Sequence, residues 1–349
     1  MSRSLKVETK PTVLREAGQK RVHRRMIANG TIIVPAVPAA RADYAEMLAT
    51  QFASVGRALD ADQKKHLAQV LDNQLAEAFR HSPHSRLRID WKTDAPPAVT
   101  LSYNVTVLYS TMTEQYEEWT RTRTPPLFGA HPDGKVIELA TSLGEPKSVR
   151  CLDVGAGTGR NTLPLARRGH PVHAVEMTGV LRAQISQAAA DEGLTIRIDE
   201  ADFLKEDVAI EAGGYDLVFL SEVVSHFRSV EDLEELFRRA SRALSPGGRL
   251  LFNVFVPHDS YTPDKYVREL SEIVWSTVYT RNELRAASKA AGLELVSDES
   301  VHDYEKEHVP AESWPPTGWF IDWTLGGDIF ARPIGRSPID MRWLCYRHA

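Results

Sequence analysis

Between Cys151 and Gly159 the chain reads Cys-Leu-Asp-Val-Gly-Ala-Gly-Thr-Gly, three glycines in five positions with Asp153 two residues ahead of the first. Glycines so spaced let a backbone turn sharply and approach a ligand closely, because no Cβ stands in the way. An apolar run precedes the loop and a helix-forming run follows it. Glu176 closes the next apolar run, 23 positions after Asp153, where an acidic side chain can accept hydrogen bonds from both hydroxyls of a ribose. Gly155, Gly157, Gly159 and Glu176 together therefore point to nucleoside binding. A dinucleotide fingerprint, Gly-x-Gly-x-x-Gly, would need a glycine where Arg160 stands, so the spacing argues against NAD.

Candidate reacting groups follow the later apolar runs. His226, in Ser221-Glu222-Val-Val-Ser-His226, carries an imidazole that could take a proton near neutral pH. Glu222 could serve as a base or contact the ligand, and His258 follows the run that ends at Val256. Tyr116 and Trp119, three residues apart, are candidates to contact the substrate, and Trp319, between Trp314 and Trp323, could wall an apolar acceptor site or stack on an aromatic one. Each has a plain structural reading beside the functional one: a packed histidine, a cap, or core aromatics.

These residues need a scaffold, and the pattern of the chain supplies one. From about residue 145 short apolar runs alternate with helical stretches: strands at 149–154, 172–176, 195–198, 215–220 and 249–256, with helices ending near 168 and covering 180–192 and 230–244. Such alternation predicts an α/β fold, a doubly wound, mostly parallel sheet with helices on both faces. A sheet of that kind binds ligands beyond the carboxyl ends of its strands. Pro164 is tolerated only in the first turn of the helix after the glycine loop, which places that helix start near Asn161. Upstream, apolar spacing predicts two helices within 44–79, a β-hairpin over 87–105 broken at Asp94-Ala-Pro-Pro97, and helices over 113–120 and 133–143. Residues 1–40 lack sustained periodicity and read as a tail, with a short strand at Thr31–Val34.

With 349 residues, 42 % hydrophobic and 26 % charged, the chain has the composition of an ordinary globular protein. Two cysteines, Cys151 and Cys345, are too few for a disulfide framework or a cysteine zinc site; the expectation is a cytoplasmic protein without a bound metal. No apolar run reaches the length of a membrane span. Residues 1–30 hold eight Lys or Arg against Glu8 and Glu16, so the rest of the chain is more acidic than the overall charge of −5. An acidic body argues against nucleic acid as a partner and for a small-molecule acceptor. Oligomeric state stays open, a homo-oligomer included.

The segment Asp153 to Gly159 resembles motif I of the class I, Rossmann-like S-adenosylmethionine-dependent methyltransferases, Asp-x-Gly-x-Gly-x-Gly. Further stations of that family follow in order: Glu176 in Ala-Val-Glu-Met, Asp202-Phe203, Tyr215-Asp216 into Ser221-Glu222, and Leu244-Ser-Pro-Gly-Gly-Arg249. Residues 159–170 are similar to the branch that includes tellurite-resistance-type methyltransferases. The resemblance implies a seven-stranded sheet completed by strands near Gly292-Leu293 and Trp343–His348. It implies S-adenosylmethionine as cofactor, with Glu176 on the ribose, Asp202 and Phe203 at adenine, and Asp153, the three glycines and Ser221 around the donor. The expected layout is a basic tail (1–40), a helical and hairpin cap (41–130), and a methyltransferase domain (131–349) with a Trp-rich insertion near 309–339. The expected activity is in-line methyl transfer to O, N or S of a small molecule; the alternative is a donor-binding scaffold that has lost catalysis. Neither the Asn-Pro-Pro-Tyr motif of amino-group methylation nor a Pro-Cys nucleophile follows the fourth strand.

Overall fold

The computed structural model describes residues 7–205, 209–330 and 336–349. Arg3 and Lys6 of the basic segment and residues 331–335 of the Trp-rich insertion lie outside the described residues. The chain divides into two compact units, one ending at Met112 and one running from Thr113 to Ala349.

The first unit contains α1 (Pro11–His23), β1 (Asn29–Pro35), α2 (Arg41–Ser54), α3 (Ala61–His81), β2 (Arg86–Thr93) and β3 (Leu101–Leu108). The hairpin is present, and β1 adds a third antiparallel strand, with Ile32 opposite Ile89. The segment expected to be a tail thus contains the strand expected at Thr31–Val34 and, in addition, a helix. Helix α1 buries no residue; its few apolar residues, Val13, Leu14 and Val22, are exposed and too few to set the sustained apolar period by which a sequence reveals a helix. Asp60 accepts the Gln63 N–H and closes a capping box at the start of α3. Leu67, Leu71 and Leu75, one per helical turn, then pack with Leu48, Phe52, Leu87 and Ile89.

The second unit opens with α4 (Met112–Thr122) and α5 (Gly134–Ser142). It continues through β4 (Cys151–Val154), α6 (Thr162–Arg167), β5 (Val172–Val175), α7 (Gly179–Asp191), β6 (Arg197–Asp199), β7 (Tyr215–Leu220), α8 (Val230–Ala243) and β8 (Leu244–Pro257). The chain ends with α9 (Lys265–Ile273), α10 (Arg281–Ala290), β9 (Leu293–Ser300), α11 (Val301–His308), α12 (Phe320–Thr324) and β10 (Ile339–His348). The seven strands lie in the order β6-β5-β4-β7-β8-β10-β9, parallel from β6 to β8, with β10 antiparallel to both its neighbours. This is the expected α/β sheet. One face packs Leu233, Phe237, Phe252 and Tyr346; the other packs Phe219, Phe255, Met341 and Trp343. Strand order reverses at β4, so the crevice beyond the carboxyl ends of β4 and β7 is where a ligand of this fold belongs.

Candidate active site

The loop after β4 carries Gly155, Gly157 and Gly159 at φ 73°, 57° and 85°, a region costly for any residue with a Cβ. At Gly155 the need is also spatial, because a Cβ there would overlap the Val223 side chain. The N–H groups of Gly155 and Ala156 donate to Val175 O at 2.8 and 3.2 Å, which ties the loop to β5. Gly157 lies beneath Phe128, whose ring a Cβ would meet at 3.5 Å.

Glu176, at the end of β5, is 5 % exposed. Its carboxylate accepts the Gly157 N–H at 2.8 Å and the Thr178 N–H at 2.7 Å. Burial raises its pKa, and those two backbone bonds work against the rise. Two carboxylate oxygens offer about four acceptor positions, so the two backbone bonds leave capacity for ribose hydroxyls. Asp153, buried within β4, accepts the Thr162 hydroxyl at 2.5 Å, and burial pushes it up to about 7. It fastens the glycine loop to the first turn of α6, whose N-cap is Asn161 as expected.

Ser221 and Glu222, after β7, join a buried ionic network that the sequence reading did not anticipate. Arg160 donates to Asp133 Oδ1 at 2.5 Å, to Glu222 Oε1 at 2.7 Å and to Ser221 Oγ at 3.3 Å. Asp133 also accepts the Ser221 hydroxyl at 2.6 Å and the Asn161 amide at 2.8 Å. Three chain segments are pinned together: the start of α5, the exit of the glycine loop and the end of β7. Glu222 sits at φ 61°, and its N–H donates to Asn253 Oδ1 at 2.7 Å. Burial raises the Glu222 pKa, with Arg160 opposing.

His226, in the turn after Glu222, meets Tyr116 of α4: Oη and Nε2 are 3.0 Å apart. Trp119, on the same face of α4, packs edge-on to Tyr116 at 5.3 Å. Phe128 contacts Tyr116 from the glycine-loop side, with ring centres 6.0 Å apart. Trp275, after α9, completes the wall at 4.8 Å from His226 and 4.9 Å from Trp119. The Tyr116 phenol is held strongly toward its protonated form by burial, then by the charges of Glu176 and Glu222. The structure thus places Tyr116, Trp119, Glu222 and His226 near the glycine loop and Glu176.

Other sequence candidates lie elsewhere. His258 is exposed beyond β8; its N–H donates to Pro338 O and its Nδ1 pairs with Ser260 Oγ at 2.9 Å. Trp319, half-buried, packs on Trp323 at 5.2 Å and on Phe320, against the core on the Trp343 face of the sheet. Asp202 accepts the Leu204 N–H and pairs with Lys205. The Phe203 ring is 5 % exposed in the opposite core, 5.2 Å from the Arg239 guanidinium. Among the described residues no group of three His, Cys, Asp or Glu is placed to hold a metal ion.

Arg160, Asp133, Phe128 and Trp275 were missed. Arg160 follows the last glycine, and that position was the one available signal; nothing local marks the other three. The site residues fit a cationic donor. Asp133, Asp153 and Glu176 are buried, the Glu222 side chain is 14 % exposed, and Arg160 is shared by Asp133 and Glu222; carboxyl groups whose pKa burial holds up gain from a positively charged ligand.

Residues 152–252 match the family described as methyltransferase domain. A ubiquinone biosynthesis O-methyltransferase of Azorhizobium caulinodans is 31 % identical over 45 % of this chain and 63 % of its own. A second, from a Caulobacter species, is 34 % identical over 30 % of this chain and 40 % of its own. The ribosomal RNA small subunit methyltransferase C of Chromohalobacter salexigens is 30 % identical over 37 % of this chain and 38 % of its own. The chain spans less than two thirds of the length of each of these relatives. Among solved structures, geranyl diphosphate C-methyltransferase of Streptomyces coelicolor is similar at a TM-score of 0.49 and 17 % identity, over 68 % of this chain and 97 % of that one. Residues 152–252 thus match a methyltransferase-domain family, within a sheet and behind a glycine motif that are similar to those of the class I S-adenosylmethionine-dependent methyltransferases.

Proposed function

We propose that the unit from Thr113 to Ala349 transfers the methyl group of S-adenosylmethionine to a hydroxyl oxygen of a small molecule. Nitrogen and sulfur acceptors, which the sequence leaves open, are less well served by the site. The observation that carries this reading is the Tyr116–His226 hydrogen bond beside the glycine loop. When bound, the donor supplies a sulfonium methyl that an acceptor lone pair attacks as the carbon–sulfur bond breaks. Such a displacement asks mainly for orientation and exclusion of water. A hydroxyl acceptor also asks for a base.

The chain's own residues divide that work. Gly155, Gly157 and Gly159 surround the donor, Glu176 holds its ribose, and Asp202 with the Phe203 backbone borders adenine. Asp153 and Ser221 hold the pocket in shape. The Tyr116 phenol, kept neutral, donates to His226 Nε2 and accepts the acceptor's O–H, so a proton leaving the acceptor oxygen passes through Tyr116 to His226. His226 takes the role of base rather than His258, because His226 is hydrogen-bonded to the residue that faces the donor carboxylates. Trp119 borders the acceptor, and Trp319 supports that wall through Trp323. Ubiquinone biosynthesis relatives are named as O-methyltransferases, in keeping with this choice.

Calorimetric titration with S-adenosylmethionine, S-adenosylhomocysteine and NAD, followed by methyl-labelled donor with phenol, amine and thiol acceptors, tests the reading. The expected result is binding of the first two ligands and label in the phenol. Binding of NAD alone, or label only in amines or thiols, would refute it. Donor binding with transfer to no acceptor would favour the scaffold alternative.

A further inference from the structure

Two residues other than glycine have a left-handed backbone among the described residues, Glu222 at φ 61° and Trp275 at φ 59°. Both belong to the site. A left-handed tryptophan persists only where its surroundings hold it, and such strain collects at functional positions. Glycine would make the same turn freely, so the turn alone does not call for tryptophan.

What holds Trp275 is visible on every side. Its carbonyl accepts the Trp323 indole N–H at 3.1 Å. The next N–H, of Ser276, returns to Ser271 O at 2.8 Å. The Thr277 N–H donates to Ser225 O at 3.2 Å, beside His226, and the Tyr279 N–H donates to Phe255 O at 3.0 Å. Trp323 is itself fixed, 6 % exposed and edge-on to Phe255 at 5.5 Å. The Trp275 ring is thereby set against His226, Trp119 and Tyr116, the last at 5.6 Å. The buried Thr277 hydroxyl in the same segment has no hydrogen-bond partner among the described residues, an unmet polar group of the kind a ligand satisfies.

We propose that Trp275 is a specificity-determining residue of the acceptor site, selecting a flat aromatic ring, and that Trp323 positions it. The inference rests on the methyltransferase reading above and deepens it. An indole beside His226 gives a planar acceptor a face on which to stack with its hydroxyl near the Tyr116–His226 pair. A saturated ring of the same size bears the same hydroxyl but lacks the π face. Trp323 acts through the Trp275 carbonyl, and its loss lets the turn relax toward an ordinary backbone conformation and carries the ring away.

The test is titration of the full chain, saturated with S-adenosylhomocysteine, with catechol and with cyclohexane-1,2-diol. Catechol is expected to bind about 10-fold more tightly than the diol. Trp275→Leu should erase that preference and Trp275→Phe should keep part of it, both with S-adenosylhomocysteine affinity unchanged. Trp323→Phe, which keeps an aromatic ring but lacks the N–H, should reduce the preference without changing donor-product affinity. Equal binding of the two probes by the unaltered chain, binding of neither, or an intact preference in folded Trp275→Leu and Trp275→Phe would each overturn the proposal. Failure of S-adenosylhomocysteine to bind the unaltered chain is a separate outcome; it defeats the methyltransferase reading and this inference with it.

Discussion

The Tyr116 hydroxyl lies 3.0 Å from His226 Nε2 although 110 positions separate the two residues. One is carried by α4 and the other by the turn beyond β7, and the phenol is the partner that keeps its proton, because burial and two carboxylates oppose a phenolate. If that bond relays the acceptor proton, Tyr116→Phe should lower kcat about 100-fold and leave donor affinity within a factor of two. Steady-state rates with the best acceptor, paired with calorimetry of S-adenosylhomocysteine, check both halves. An unchanged kcat would remove Tyr116 from the reaction.

Glu176→Ala should weaken donor binding by about 1–3 kcal/mol. The substitution removes the ribose acceptor and also leaves the Gly157 and Thr178 N–H groups without their partner. Glu176→Gln retains an acceptor for one of those amides and should lose less. Calorimetric titration with S-adenosylmethionine orders the three proteins, and equal affinities would overturn the assignment.

Arg160→Met should cost about 3–5 kcal/mol of stability, since it strands Asp133 and Glu222 as buried carboxylates with no cation between them. Arg160→Lys keeps the charge but cannot span two acids with one planar fork, so partial recovery is expected. Denaturant unfolding of the three proteins gives the comparison.

Asp153 gives a pH signature. Its folded-state pKa lies near 7, above the ordinary carboxylate value, because burial opposes its charge. A raised carboxylate contributes stability that is present at low pH and is lost as pH rises toward the folded pKa. Unaltered protein should therefore lose stability relative to Asp153→Asn between about pH 4 and pH 7, on the order of 1.4 kcal/mol per pH unit. The difference between the two unfolding curves isolates this group; a difference flat with pH would contradict it.

Gly155→Ala combines an overlap with Val223 and a left-handed backbone. A loss of about 1–3 kcal/mol is expected. Val223→Ala makes room for the new Cβ and should recover the steric part while leaving the backbone part. A double-mutant cycle by thermal or denaturant unfolding separates the two, and additive effects would show that the overlap contributes nothing.

The proposed donor side of the site was legible because it is local. Strand, glycine loop and helix are contiguous from Cys151 to Arg167, and Glu176 closes the very next strand, so spacing alone brought Asp153, the glycines and Glu176 together. The sheet could also be read from its alternating apolar runs as far as the strand ending near Val256, whereas the final strands that contain Leu293 and Trp343 came only from the family resemblance. Helix α1 escaped notice because its few apolar residues, Val13, Leu14 and Val22, are exposed and too few to set a sustained apolar stripe.

The proposed acceptor side was legible only in part: Tyr116, Trp119, Glu222 and His226 could be singled out, but not the residues that meet them, because no single element carries that side. Arg160 finds Asp133 and Glu222 from two other segments, and Trp275 reaches His226 only because the chain after α9 turns back beside β8 and Trp323 grips its carbonyl. Periodicity and motif spacing record which face of each element is apolar and where the backbone must turn, and that determined the elements and the glycine loop. Which side chains from distant elements meet is decided by strand order and register, fixed when the apolar faces pack together; only the tertiary structure holds that choice, and with it the wall where the acceptor would lie.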